Sequence, residues 1–150
     1  MKKYVCYLLL ILFLVGTLSS TAYADENAEN PGEYTFEITI ERDSSFLDVN
    51  TRSIVTKQSK TYTYKHNGEA LWKVTLTGWF QYNGVTSTCL DSSCSTTVYA
   101  SGWSCSSKTS YELNNQAIGD ATMVKKFLGI TIDSQSVHLT LVCDKDGNVY

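Results

Sequence analysis

The sequence predicts an all-β domain, an antiparallel β-sandwich of immunoglobulin-like architecture, with a small β-barrel as the alternative. Three observations predict it. Apolar and polar residues alternate with a period of two over several stretches, as strands with one buried face require. Turn-forming groups such as His66-Asn67-Gly68, Asn83-Gly84 and Asn114-Asn115 separate those stretches. The composition is poor in helix formers, with one proline, ten tyrosines, and Ser and Thr at about a quarter of the chain after residue 24.

The first element is a targeting signal. Met1-Lys2-Lys3 is a basic start, residues 4–15 are apolar, and Ala22-Tyr23-Ala24 is a small-x-small cleavage site. The apolar run is about a dozen residues, whereas a membrane span needs about 20. Residues 1–24 are therefore expected to be a signal peptide cleaved after Ala24, which makes the protein secreted. Cys6 precedes the apolar run, an arrangement that does not fit lipidation at the cleavage point. Residues 25–32, DENAENPG, read as a flexible leader, and residues 33–150 as a single domain. No Leu-Pro-x-Thr-Gly motif and no apolar C-terminal tail occurs, so no wall or membrane anchor is expected.

Within the domain, residues 33–41 place Tyr34, Phe36, Ile38 and Ile40 inward and Glu33, Thr35, Glu37, Thr39 and Glu41 outward. A row of outward carboxylates suits an edge strand guarded against aggregation. Residues 43–57 are less legible, with a short strand or a helical turn over 45–49. Residues 56–65 form a strand whose Tyr62 and Tyr64 meet Trp72 and Val74 across a hairpin. Residues 70–84, ALWKVTLTGWFQYNG, are the central strand. Trp72, Val74, Leu76, Phe80 and Tyr82 share one side, with Leu71, Lys73, Thr75, Thr77 and Gln81 on the other. Asn83-Gly84 predicts a two-residue hairpin turn. A strand over 85–90, a CLDSSC loop over 89–94 and a strand over 96–106 follow, the last with Tyr99, Trp103 and Cys105 on one side. Ala117, Gly119, Ala121 and Met123 share a side of the next strand, and such small residues predict close packing against Trp72 or Trp103. The last strand points Val137, Leu139, Leu141 and Cys143 inward. Trp103 precedes Cys105 by two residues, so the Cys…Trp…Cys spacing of true immunoglobulin domains is not met.

Cys89, Cys94, Cys105 and Cys143 remain after cleavage. An even number in an exported chain reads as two disulfides, with three possible pairings. Cys89–Cys94, stapling the short loop, and Cys105–Cys143, joining distant strands, are favoured. A thiolate metal site is disfavoured, because neither histidine stands at ligand spacing. Removing Lys2 and Lys3 from 12 basic and 15 acidic residues leaves 10 against 15, a net charge of about −5. That balance disfavours nucleic acid and anionic membrane surfaces as partners.

The texture of residues 62–143 resembles that of short, uncharacterised exported proteins of Gram-positive bacteria. LWKVTLTGWFQYNGVTSTC and the later SGWSCSSK carry the resemblance. It implies secretion and a β-fold, and no activity.

Chemical constellations are sparse. The two histidines, His66 in a turn and His138 facing away from Leu139 and Leu141, have no G-x-S-x-G elbow beside them. Thr140-Leu141-Val142-Cys143 is one residue short of the sortase signature and lacks its following arginine. Asp144-Lys145-Asp146-Gly147-Asn148 opens like a calcium loop, but the sixth-position glycine is Val149. No cofactor and no metal are implied, and no catalytic residue is expected. Trp79 stands out, since parity puts its indole among Lys73, Thr75, Thr77 and Gln81, where it can stack on a sugar or anchor a protein. The alternative is cover by a cross-strand neighbour, or a bulge at Gly78 that turns it inward. The sequence thus suggests an exported non-catalytic module that binds envelope glycan or a protein partner through a sheet face. A small secreted, bacteriocin-like effector is the second expectation.

Overall fold

A computed structural model describes residues 32–48 and 53–150 of the chain. The expected signal peptide, all of the leader but Gly32, and residues 49–52 lie outside the described residues. Among the described residues seven strands are formed: β1 (Tyr34–Asp48), β2 (Ser53–His66), β3 (Glu69–Tyr82), β4 (Ser87–Val98), β5 (Trp103–Leu113), β6 (Gln116–Phe127) and β7 (Ile130–Val142). They make a four-stranded sheet in the order β1-β2-β3-β4 and a three-stranded sheet in the order β5-β6-β7. Every pairing is antiparallel. The four-and-three division is that of a seven-stranded immunoglobulin sandwich. The connectivity differs, because each strand pairs only with its neighbours in sequence, which makes two meanders and no Greek key.

The period-two pattern of β3 explains the core. Trp72, Val74, Leu76 and Phe80 are fully buried and face Ala117, Ala121, Met123, Leu139 and Leu141 of the second sheet. The small residues of β6 do allow close approach, although Leu76 and Phe80 fill the space in addition to the tryptophans. A Cβ at Gly119 would lie 2.9 Å from Leu76 Cδ1, and one at Gly78 would lie 2.7 Å from the Phe80 ring and 2.9 Å from Ala117. At one end the core is aromatic, with Trp72 5.0 Å from Tyr64 and 5.7 Å from Trp103, centroid to centroid.

Several boundaries differ from expectation. The poorly legible residues 43–48 continue β1 past a bulge between Arg42 and Ser44, so there is no helical turn. Asn83-Gly84 does not make a two-residue turn. The connection spans four residues, with Asn83 Oδ1 accepting the backbone N–H groups of Val85 and Thr86 at 3.0 and 2.9 Å. Residues 89–94 are strand rather than loop, because β4 runs unbroken from Ser87 to Val98 with Leu90 as the extra residue of a bulge. The strand expected over 96–106 is cut at residues 99–102, where the N–H groups of Tyr99 and Ala100 donate to Leu71 O and the chain changes sheets.

The sandwich is not closed into a barrel. Beside β4, side chains join the sheets: Ser92 Oγ donates to Glu112 at 2.5 Å, and Ser110 Oγ to Ser92 O at 3.3 Å. On the opposite side, Lys60 of β2 donates to Thr140 O on the β7 edge at 3.0 Å. The second sheet ends there, so β1 overhangs it. Tyr34, Phe36, Ile38 and Ile40 lie on the inward face as alternation predicts, yet Phe36 remains 65% exposed. Tyr34 stacks on Tyr64 and Phe36 on Tyr62, at 5.6 Å each, which shields part of the row.

Candidate functional site

The outer face of the four-stranded sheet is built from the residues that alternate with the core. Register aligns them in rungs that cross all four strands. One rung is Thr39, Thr61, Thr75 and Ser95; the next is Glu41, Ser59, Thr77 and Ser93. A third is Glu37, Thr63, Lys73 and Thr97. Neighbouring side chains in a rung stand about 4.8 Å apart and successive rungs about 7 Å apart, as strand spacing and pleat dictate. The hydroxyls are ordered by one another: Thr61 Oγ1 and Thr75 Oγ1 lie 3.0 Å apart, as do Ser59 Oγ and Thr77 Oγ1. β-branched threonine has few rotamers, so these oxygens are held at fixed positions on a stiff surface.

Trp79 lies at the end of this array, where parity placed it. Its rung partners are Lys57 on β2 and Asp91 on β4. The irregularity nearest to it is the extra residue Leu90 on β4, which leaves Trp79 outward and Gly78 buried in the core. The indole is half-buried, and Lys57 Nζ stands 5.7 Å from its centroid, within cation–π range. Trp79 thus faces outward, and a cross-strand neighbour, Lys57, covers part of its ring.

No family description, curated protein or solved structure matches this chain.

The histidines are separated. His66 stacks on Tyr34 at 4.4 Å. His138 lies on the outer face of the second sheet, with Nδ1 2.7 Å from Asp120 Oδ1 and Nε2 3.3 Å from Thr140 Oγ1. A carboxylate accepts, so Nδ1 donates to Asp120, while Nε2 and the Thr140 hydroxyl share the second contact. This acid–imidazole–hydroxyl order was not visible in the sequence, since Asp120 meets His138 only through the β6–β7 register. The imidazole is 63% exposed on an open strand face. Water screens it there, and the trio acts as a cross-strand polar contact. Asp144, first residue of the calcium-like turn, has its carboxylate taken by the N–H groups of Asp146 and Asn148 and by Asn148 Nδ2, at 2.8–2.9 Å. Those bonds, the Asn148 side chain foremost, hold its carboxyl below the usual range. A cavity of about 310 Å³ opens between Leu47, Ile54, Tyr82 and the C-terminal turn, remote from the hydroxyl rungs.

Cys89, Cys94, Cys105 and Cys143 are free thiols here. The favoured pairings do not fit the register. Cys89 lies opposite Phe80 and Cys94 opposite Leu76 on the same face of one strand. Four strand residues separate those levels, about 13 Å, whereas bridged Cα atoms lie within about 7 Å. Cys105 pairs with Met123, while Cys143 N–H donates to Asn115 O at the far end of β6. That separation is about 23 Å along the strand. The sequence-based pairing assumed a loop where the chain forms a strand.

Proposed function

We propose that this chain is an exported, non-catalytic β-module that binds a polysaccharide of the cell envelope along the outer face of its four-stranded sheet. The observation that carries the reading is the set of hydroxyl rungs ending at Trp79. A polysaccharide is a repeating chain of hydroxyls with apolar ring faces. Regularly spaced, pre-ordered Thr and Ser oxygens donate to it and accept from it, and an indole supplies a stacking surface with a polar N–H. Rigid positions lower the ordering cost of binding. The net charge of about −5 expected after cleavage does not oppose a neutral glycan.

The test is co-sedimentation of oxidised protein comprising residues 25–150 with insoluble cell wall, cellulose and chitin. Wild type is expected in the pellet with at least one of them. Trp79→Ala should weaken retention about five- to tenfold, equivalent to about 1 kcal/mol or slightly more. His138→Ala, on the other sheet, should leave retention unchanged. Absence of wild type from every pellet, or equal loss in both variants, contradicts the reading.

A further inference from the structure

We propose that the oxidised protein carries a disulfide between Cys89 and Cys143, a pairing different from those that sequence spacing favours. The inference rests on the export reading above, because paired cysteines persist in oxidising compartments.

Four cysteines allow three connectivities. The first, Cys89–Cys94 with Cys105–Cys143, fails on the distances already given. The second, Cys89–Cys105 with Cys94–Cys143, fails as well. Cys89 N–H donates to Asn114 O at 2.8 Å, just past the end of β5, and Cys105 lies eight residues back from Leu113. Those residues span roughly 26 Å of strand. Cys94 is about 13 Å from the level of Cys89, and Cys143 sits at the level of Cys89. Cys94–Cys105 fails by the same measure: Cys94 Sγ lies 3.6 Å from where a Cβ on Gly119 would stand, whereas Cys105 pairs with Met123, four residues or about 13 Å further along β6. Only Cys89–Cys143 remains.

Cys89 and Cys143 flank one turn. Cys89 N–H donates to Asn114 O and Cys143 N–H to Asn115 O, at 2.8 and 3.0 Å, so consecutive turn residues hold the two backbones. Both side chains point into the core, at 6% and 0% exposure. The thiols are now turned to backbone carbonyls, Cys89 Sγ to Asp91 O and Cys143 Sγ to Asp144 O, each at 3.4 Å. Such weak bonds yield to a rotation about χ1.

The bond forms by thiol–disulfide exchange with a small-molecule or protein disulfide, RSSR. A cysteine thiolate attacks RSSR and releases one RS⁻, which takes up the proton the cysteine lost. The second cysteine, deprotonated in turn, attacks the mixed disulfide and releases the other RS⁻. Two protein thiols are oxidised and one RSSR is reduced to two RSH. Burial works against the thiolate in the folded chain, pushing Cys89 up to about 11 from an ordinary 9.0. Oxidation is therefore expected while the chain folds, before the sheets close.

The test is disulfide mapping of the protein recovered from the medium of an expressing cell. Alkylation under acid, without reduction, precedes digestion with trypsin and chymotrypsin. Cleavage after Leu90, Tyr99 and Trp103 separates Cys89, Cys94 and Cys105 onto different peptides, which trypsin alone leaves on one. The expected result is one cross-linked species, Cys89 with Cys143, lost on reduction, with Cys94 and Cys105 recovered alkylated. A Cys89–Cys94, Cys105–Cys143, Cys89–Cys105, Cys94–Cys143 or Cys94–Cys105 species overturns the assignment. N-terminal sequencing of the same sample separates the two levels of failure. An Asp25 start with four alkylated thiols overturns the disulfide and leaves export standing, whereas an uncleaved N-terminus with four thiols overturns both.

Discussion

Single residues show where the core is least tolerant. Gly119 lets β6 press against Leu76, which is itself fully buried and has nowhere to retreat. Gly119→Ala should destabilise the protein by about 1–3 kcal/mol through overpacking, read as a lower urea midpoint at unchanged slope. Trp72 joins both sheets and the aromatic end of the core, and Trp72→Ala should cost about 3–5 kcal/mol. Its Nε1 is buried with no acceptor among the described residues, so its contribution is packing rather than hydrogen bonding. Cys89 adds a pH dependence to the reduced protein. Its folded thiol titrates near 11, above the ordinary 9.0, chiefly because burial disfavours the thiolate. The unfolded chain gives up that proton first, so the folded state holds more protons across this window. Stability from this group is fully present below pH 9 and falls as the pH rises towards 11. Cys89→Ala should remove that part of the alkaline loss in urea melts of reduced protein, and oxidation should remove it as well.

At the scale of elements, alternation predicted well and punctuation less well. The face of β3 was legible because every second residue from Trp72 to Phe80, apart from Gly78, is large and apolar. The same holds for the Tyr62 and Tyr64 pairing with Val74 and Trp72, set by the tight Asn67-Gly68 turn with both φ angles positive. The break between β6 and β7 falls at Leu128-Gly129, where Leu128 adopts a φ of 50° without the usual turn chemistry. Leucine tolerates that region poorly, and this one is 86% exposed. Leu128→Asn should therefore stabilise the hairpin by about 0.5–1 kcal/mol, detected as a raised thermal midpoint. The bulges at Asp43 and Leu90 were illegible because an extra strand residue leaves no compositional mark. Missing the second one turned residues 89–94 into a loop and set the cysteine pairing astray. Asp120 and His138 met for a reason no local pattern carries, the register of two strands.

For the whole molecule, the two sheets differ in extent, and that difference exposes the inward row of β1 while Glu37 and Glu41 stay on the outer face. Antiparallel pairing of two β1 edges about Glu37 would set those carboxylates against one another, so edge-to-edge growth is opposed by charge. The outer face of the larger sheet is where the proposed function lies, and sequence parity located Trp79 there although it could not reveal Lys57 beside the ring. The most direct measurement is a ¹H–¹⁵N correlation titration of the oxidised, ¹⁵N-labelled protein with soluble fragments of whichever polysaccharide retains it. Shifts should concentrate at Lys57, Thr61, Thr75, Thr77, Trp79 and Ser93, with the Trp79 indole N–H among the largest. Shifts confined to β6 and β7, or to the overhanging row from Tyr34 to Ile40, would contradict a glycan-binding outer face.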